Sequence, residues 1–506
     1  MRSFSKIITA SVLIASMAFG LASCKGGSTS SGSVTVGITQ EPGTFDPFTV
    51  VAAGDQEIIF NIYEGLLKYD SKGNLNPCLA KDYEISDSAD VYTFTVRDGV
   101  KFQNGQELTP NDVVYSLQKA AGLLPDSDGK ALVSAFAKVK TVELTKDDPS
   151  KVRVTLKEPD SELLSFFTCA IVPAEYDTSS KDPCGTGPFK FDSYSISQNV
   201  TLSANKDYWG GAPAIDKVVF KICADMDAGL LELQSGTIDI FPHLTKDRAD
   251  QLSADAYNIL DNSSNMVQIF ALNNKVEALS NPKVREAINY AIDRSDIIKV
   301  TMDGAGVALY APMSPAMGKW YDSSLDGKYS KDIDKAKSLL AEAGYPDGFD
   351  LKVTVPSSYL VHVNTAVELA SELSAVGIKL KIEQIDWATW LDEVYSKRNY
   401  ESTVICLTSD YAPYDVIQRY ASDSKDNFIN YSNKEVDELI KKLPLTPGED
   451  EKLTIYHQIL NIMAEDNASC YIQDPQEMVA VSTKLEGYNV YPMYIQDMYT
   501  VKFKTA

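Results

Sequence analysis

The feature that most narrows the fold is an alternation along the chain between two hydrophobic periods, two and about 3.6, with no repeat unit. Ser33 to Ile38, SVTVGI, alternates like an opening strand. Tyr92-Thr93-Phe94-Thr95-Val96 alternates strictly, Arg97-Asp98-Gly99 turns, and Val100-Lys101-Phe102 reads as a further strand closed by Asn104-Gly105. Thr109-Pro110-Asn111-Asp112 then starts a helix: Thr109 caps, Pro110 takes the first helical position, and Asp112 can close a capping box. Val113, Leu117 and Ala120 continue its apolar face. Asn281-Pro282 opens a second helix with Val284, Ala287, Ile288, Ala291 and Ile292 on one stripe. Asp332 opens a third, with Ala336, Leu339, Leu340 and Ala343 inward and Gly344 as its stop. Leu351 to Val355 and Ile378 to Ile382 are strand-like. The pattern predicts an α/β chain of sheets flanked by helices. Roughly 480 residues exceed what one core holds, so two or three lobes are expected.

The N-terminus fixes the compartment. Arg2 and Lys6 form a basic start, Ile7 to Gly20 is apolar and uncharged, and Leu21-Ala22-Ser23-Cys24 reads as a lipobox. The apolar stretch is shorter than the roughly 20 residues of a membrane span. Residues 1–24 are therefore expected to be a lipoprotein signal, with Cys24 lipidated and becoming the new N-terminus. Lys25 to Ser33, KGGSTSSGS, follows as a flexible tether without an apolar residue. The expected location is exported and lipid-anchored, on the outer face of the cytoplasmic membrane or in the periplasm or cell envelope.

The net charge of −23 argues against nucleic acid and anionic lipid headgroups as partners. Beyond Cys24, the cysteines Cys78, Cys169, Cys184, Cys223, Cys406 and Cys470 leave two readings open, up to three disulfides or buried free thiols. None forms a CxxC pair, and His243, His362 and His457 are far apart, so no metal site and no cofactor are expected. No GxSxG elbow, HExxH or P-loop occurs, and the chain is not read as an enzyme.

A series of short runs gives the chain a family likeness. They are Tyr63-Glu64-Gly65-Leu66, Pro77-x-Leu79-Ala80, Tyr92 to Phe102, Gly185-Thr186-Gly187-Pro188-Phe189, Asn205-Lys206-Asp207-Tyr208-Trp209, Leu233 to Asp239, Asn281 to Ala287 and Ala343-Gly344-Tyr345-Pro346. In this order and spacing, from about Val34 onward, they resemble the large extracellular solute-binding proteins of bacterial ABC importers. That is family 5, the oligopeptide-, dipeptide- and nickel-binding group, here in lipoprotein form. Read as residues, Gly185-x-Gly187-Pro188 suits a tight crossing where glycine admits φ > 0. The resemblance implies a periplasmic-binding-protein-like two-lobed clamp with an additional inserted lobe. Lobe I would take 34–63, 187–283 and 478–506, inserted lobe II 64–186, and lobe III 284–477. The lobes would close by hinge motion on a ligand held between them.

The resemblance also points to ligand-binding residues. Thr408-Ser409-Asp410-Tyr411 follows the strand-like 402–407, and Asp410 matches the aspartate that pairs with the peptide α-amino group in peptide-binding relatives. Asp410 also fits a turn cap. Cys406 lies on the strand itself. Ala52, Ala53 and Gly54, in the loop Val51 to Asp55, match a stretch that offers main-chain groups to an extended peptide. Trp387 and Trp390 read equally as pocket or core. Leu407 stands where many relatives have tryptophan, and His362-Val363-Asn364 stands where some dipeptide binders carry a carboxylate-binding arginine. The expected function is a monomeric, lipid-anchored binding component that captures short peptides and delivers them to an ABC permease. The alternatives are a nickel or metal-chelate binder and an oligosaccharide binder of the same fold.

Overall fold

The computed structural model describes residues 32–50, 53–176, 182–408 and 412–505, apart from the side chains of Ala53 and Asn262. Cys24 and tether residues 25–31 lie outside it. In chain order the strands are β1 (Ser33–Ile38), β2 (Leu67–Tyr69), β3 (Leu75–Pro77), β4 (Ala80–Ile85), β5 (Val91–Val96), β6 (Val139–Leu144), β7 (Lys151–Leu156), β8 (Phe189–Ser195), β9 (Asn199–Ala204) and β10 (Lys217–Ile222). They continue with β11 (Ile240–Leu244), β12 (Tyr257–Ser263), β13 (Met266–Leu272), β14 (Gly306–Ala308), β15 (Asp350–Pro356), β16 (Lys379–Ile385), β17 (Ser402–Thr408), β18 (Cys470–Ser482), β19 (Leu485–Glu486) and β20 (Lys502–Phe503).

One large mixed sheet runs β16-β15-β17-β13-β18-β11-β1-β10-β9-β8, with β12 and β14 also pairing to β18. A separate antiparallel sheet, β4-β5-β7-β6, is built from the segment expected to form the inserted lobe. Its logic is plain in β5, where Tyr92, Phe94 and Val96 are buried and alternate with half-exposed residues. Phe167 packs on both rings, at centroid distances of 5.2 Å from Tyr92 and 4.5 Å from Phe94. Aromatic pairs of this kind add about 0.5–1.5 kcal/mol beyond the area they bury.

Local signals decide the helices. Pro110–Ala120 begins where the Thr109 N–H donates to Asp112 Oδ2 at 2.8 Å. Asn281 caps Pro282–Ala291 through Lys283 N at 3.0 Å, and Val284, Ala287, Ile288 and Ala291 are fully buried. Asp332 caps Ile333–Glu342 through Lys335 N at 2.9 Å, and Gly344 follows at φ 92°. No described helix is long and apolar enough to cross a membrane.

Two sequence readings need correction, and one left open is decided. Val100 to Phe102 is not a strand, because it makes only one isolated bridge, Lys101 to Glu107. Gly185 and Gly187 do not adopt positive φ; they are needed for close approach. A Cβ on Gly187 would sit 2.5 Å from the Asn61 carbonyl oxygen, and one on Gly185 would strike the Ile62 carbonyl. Of the two readings for Cys78, Cys169, Cys184, Cys223, Cys406 and Cys470, the structure takes free thiols.

β18 is the element that joins the large sheet. Gln473 and Cys470 pair with β13, Gln473 to Pro475 pair with β14, and Gln476 to Ser482 pair with β12. The expected lobe edge at 477/478 falls inside this strand. The second passage across the sheet is the link from β12 to β13 through Ser264 and Asn265, the latter at φ 49°. Asp474 ties the two passages together. Its carboxylate accepts the hydroxyls of Ser263 and Ser314 and, at 3.2 Å, the Met266 N–H. The group is buried and pairs with no cation among the described residues, and burial raises its pKa to about 6.

Candidate ligand-binding cleft

β15 runs parallel to both β16 and β17, so Pro356, Ile385 and Thr408 end on one edge of the sheet. In α/β sheets, ligands collect beyond the carboxyl ends of the strands. The residues that follow these strand ends include Tyr359 and Trp387, whose rings meet at 5.2 Å. Trp387 and Trp390 stack at 5.1 Å with planes 5° apart. The two tryptophans have different places. Trp390 is only 2% exposed and its indole N–H donates to Thr403 Oγ1 at 3.0 Å, whereas Trp387 is 37% exposed. Trp390 therefore backs Trp387 from the core, and only Trp387 offers a surface to solvent.

Thr408 is exposed, and its carbonyl accepts the Arg419 guanidinium at 3.1 Å. Cys406 is half-buried, and burial pushes its thiol pKa up. Ser409, Asp410, Tyr411 and Ala52 lie outside the described residues. The expected loop at Val51 to Asp55 is partly helical instead, because Ala53–Ile59 forms a short helix. The Gly54 N–H is taken by Gln40 Oε1 at 2.9 Å and the Gly43 N–H by Asp55 Oδ1 at 2.7 Å. Those side chains supply partners that an extended loop would have left for a ligand. His362 is buried against Gln268, at 3.1 Å, and burial lowers its pKa to about 4. His457 lies at the surface near the Lys319 carbonyl. Among the described residues, no group of three or more His, Cys, Asp or Glu could hold a metal ion.

Ala412, the first described residue after this gap, lines a cavity of about 360 Å³. That falls within the usual 300–1,000 Å³ of small-molecule sites. Ile59, Phe60, Leu67, Lys68, Phe166, Met493 and Ile495 supply part of its other wall. The cavity thus joins residues after β17 to the β2 strand, the 165–170 segment and the C-terminal segment. Lys68 is its cation. Its ammonium lies 4.3 Å over the Phe60 ring and 3.9 Å from Glu64 Oε1. Burial works against its charge, but Glu64 and Asp497 outweigh that effect and raise its pKa.

Glu64 explains why the short sequence runs occur together. Its buried carboxylate accepts Thr186 Oγ1 at 2.9 Å, Tyr208 OH at 2.6 Å and Trp209 Nε1 at 2.8 Å. Three of the runs therefore meet on one carboxylate, across sequence separations of 122 to 145 residues. Gly65 completes the junction, since a Cβ there would lie 2.5 Å from the Thr168 carbonyl. Two of the runs thereby hold the Glu64 carboxylate of the first, which lines the cavity, and Lys68 stands two residues beyond that first run.

Sequence reasoning also passes over His243, which sits at φ 62° at the end of β11. Its Nε2 is 2.6 Å from Glu57 and its Nδ1 2.5 Å from Glu477. Burial opposes the imidazolium, but hydrogen bonds to Glu477 and Glu57 prevail and raise its pKa to about 10. This cation ties the helix Ala53–Ile59 to β18.

Comparison with known proteins agrees with this architecture. Residues 74–428 match the family model for bacterial extracellular solute-binding proteins, family 5. The chain belongs to this family. It is 27% identical over 510 residues to the oligopeptide-binding protein AppA of Bacillus subtilis, covering 93% of this chain and 91% of AppA. The structure of that AppA with a nonapeptide matches with a TM-score of 0.67, over 94% of this chain and 99% of that one. The ABC transporter substrate-binding protein CtaP of Listeria monocytogenes gives 0.78 at 26% identity, over 94% and 99%. HbpA2 of Haemophilus parasuis shares the fold, with a TM-score of 0.85 at 24% identity, over 94% and 100%. The chain is accordingly a family 5 solute-binding component of an ABC importer, with the family's two-lobed periplasmic-binding fold. Its relatives are solute-binding proteins rather than enzymes, and the family works outside the cytoplasm.

Proposed function

We propose that this protein captures short peptides in the cleft beside residues 408–412 and hands them to a membrane permease while anchored through a lipid on Cys24. The observation that supports this reading most is the cavity of about 360 Å³ beside Ala412, directly after the segment that holds Asp410. In this reading Asp410 receives the peptide ammonium, and its sequence neighbours Thr408, Ser409 and Tyr411, together with Trp387, make further contacts with the peptide. AppA, which binds a nonapeptide in the same fold, supports the peptide class. The fit to CtaP is better than the fit to peptide-bound AppA at nearly equal identity, so sequence distance does not account for the difference. A difference in lobe arrangement would account for it, and hinge closure on the ligand is part of this reading.

The test is calorimetry with peptides recovered from the purified protein, in free and N-acetylated forms, against wild type and Asp410→Asn. Breaking one side of an enclosed ammonium–carboxylate pair typically costs about 3–5 kcal/mol, so both acetylation and the substitution should weaken binding roughly 100-fold or more. Equal affinities would leave Asp410 as a turn cap. Recovery of a metal chelate or an oligosaccharide instead of peptide would replace the peptide reading.

A further inference from the structure

The cavity beside Ala412 has a chemical character that the amine-binding aspartate does not explain. A cavity of about 150 Å³ lined by aliphatic and aromatic side chains holds benzene; this one has more than twice that volume. Phe60, Leu67, Phe166 and Met493 make its walls apolar. Among the described residues that line it, one cation, Lys68, stands with 22% of its side-chain surface open. An ammonium has three donors, and among the described residues the Lys68 ammonium makes no hydrogen bond. Glu64 is too far for one at 3.9 Å, and its carboxylate is already occupied by Thr186, Tyr208 and Trp209. Asp497 is likewise engaged, by Tyr491 OH at 2.9 Å and Tyr499 N–H at 3.0 Å. The lysine charge is thus balanced at a distance while its donors remain available on the cavity side.

We propose that this cavity is a subsite for a carboxylate carried on an apolar or aromatic stem, with the stem between Phe60 and Phe166 and the carboxylate on Lys68. The inference rests on the peptide reading above. One negative charge suits the site. A phosphate would bring about 1.5 to 2 charges toward Glu64 and Asp497 with only one lysine to receive them. Within a peptide, the carboxylate has two sources, the C-terminus of a chain ending in an apolar residue or an acidic side chain.

The experiment uses the full chain and two synthetic random tripeptide libraries, one with free C-termini and one amidated. Retained peptides are read by mass spectrometry. Wild type should retain carboxylate-bearing peptides tenfold or more over those without one, and the retained set should be rich in large apolar residues. If the C-terminus is the source, the amidated library is poorly retained. If a side chain is the source, the amidated library yields peptides containing Asp or Glu. Lys68→Met should abolish the preference for carboxylate while keeping that for apolar residues, and Lys68→Arg should keep both. The wild-type comparison decides the matter even if Lys68→Met fails to fold. Retention indifferent to carboxylate overturns the subsite and leaves the peptide reading intact. Retention of nothing from either library overturns both.

Discussion

Replacing Asp474 with asparagine tests the view that a buried, cation-free carboxyl pins the two passages across the large sheet. The substitution keeps the shape. An amide oxygen can still accept the Met266 N–H, and the amide NH₂ can donate to Ser263 and Ser314, whose hydroxyls rotate to receive it. Only the titration is removed. The folded pKa is about 6, against about 3.9 in an open chain. Between those values the folded state binds more protons than the unfolded one, so stability falls as pH rises from about 4 to about 6 and then levels. At about 1.4 kcal/mol per pH interval of one, the full effect is at most about 3 kcal/mol. Denaturant unfolding of wild type and Asp474→Asn at pH 4.5 and pH 7.5 gives the comparison. Wild type should lose about 2 kcal/mol more than the variant over that range, and the variant should be the more stable of the two at pH 7.5. Parallel pH profiles, or a variant less stable at every pH, would refute the argument and show that the carboxylate is stabilised as an ion.

Other consequences can be measured with equal directness. His243→Asn, which tolerates the left-handed backbone, should remove a stabilisation that is complete below about pH 6.5 and lost as pH rises towards about 10. Wild type should therefore lose on the order of 2–4 kcal/mol relative to the variant over that range in alkaline unfolding, given the partial exposure of the ring. Gly187→Ala should destabilise by about 2–4 kcal/mol in thermal unfolding, because its Cβ has no room beside the Asn61 carbonyl. Cys24→Ser should abolish metabolic labelling with a fatty acid, and undiminished labelling would remove the lipid assignment.

What the sequence makes legible is what short-range chemistry determines. The starts at Thr109, Asn281 and Asp332 and the alternation at Tyr92 to Val96 involve neighbours within a few residues, and they reappear as read. Val100 to Phe102 has the right composition for a strand but no partner strand, which only the tertiary arrangement decides. β18 escapes notice because Asp474-Pro475 interrupts its apolar run and reads as a turn. The roles of Gly185 and Gly187 depend on a carbonyl more than 120 residues away. The site divides in the same manner. Thr408 and Trp387 share an edge that strand endings foretell, whereas Phe60, Lys68, Phe166 and Met493 meet only through packing of three distant segments. Spacing could not have separated Trp387 from Trp390, because the difference lies in which ring has Thr403 behind it.

The place of β18 has a consequence for the timing of assembly. Without it, the large sheet is two pieces, β16-β15-β17-β13 and β11-β1-β10-β9-β8, with nothing between them. The strand that unites them ends at Ser482 of a 506-residue chain. A polypeptide made from its N-terminus therefore completes every other strand of the large sheet before the one that unites them exists. Pairings this distant in sequence form slowly in any case. The large sheet is thereby postponed until the last of its strands has been made, and the two pieces wait unpaired along their facing edges until then.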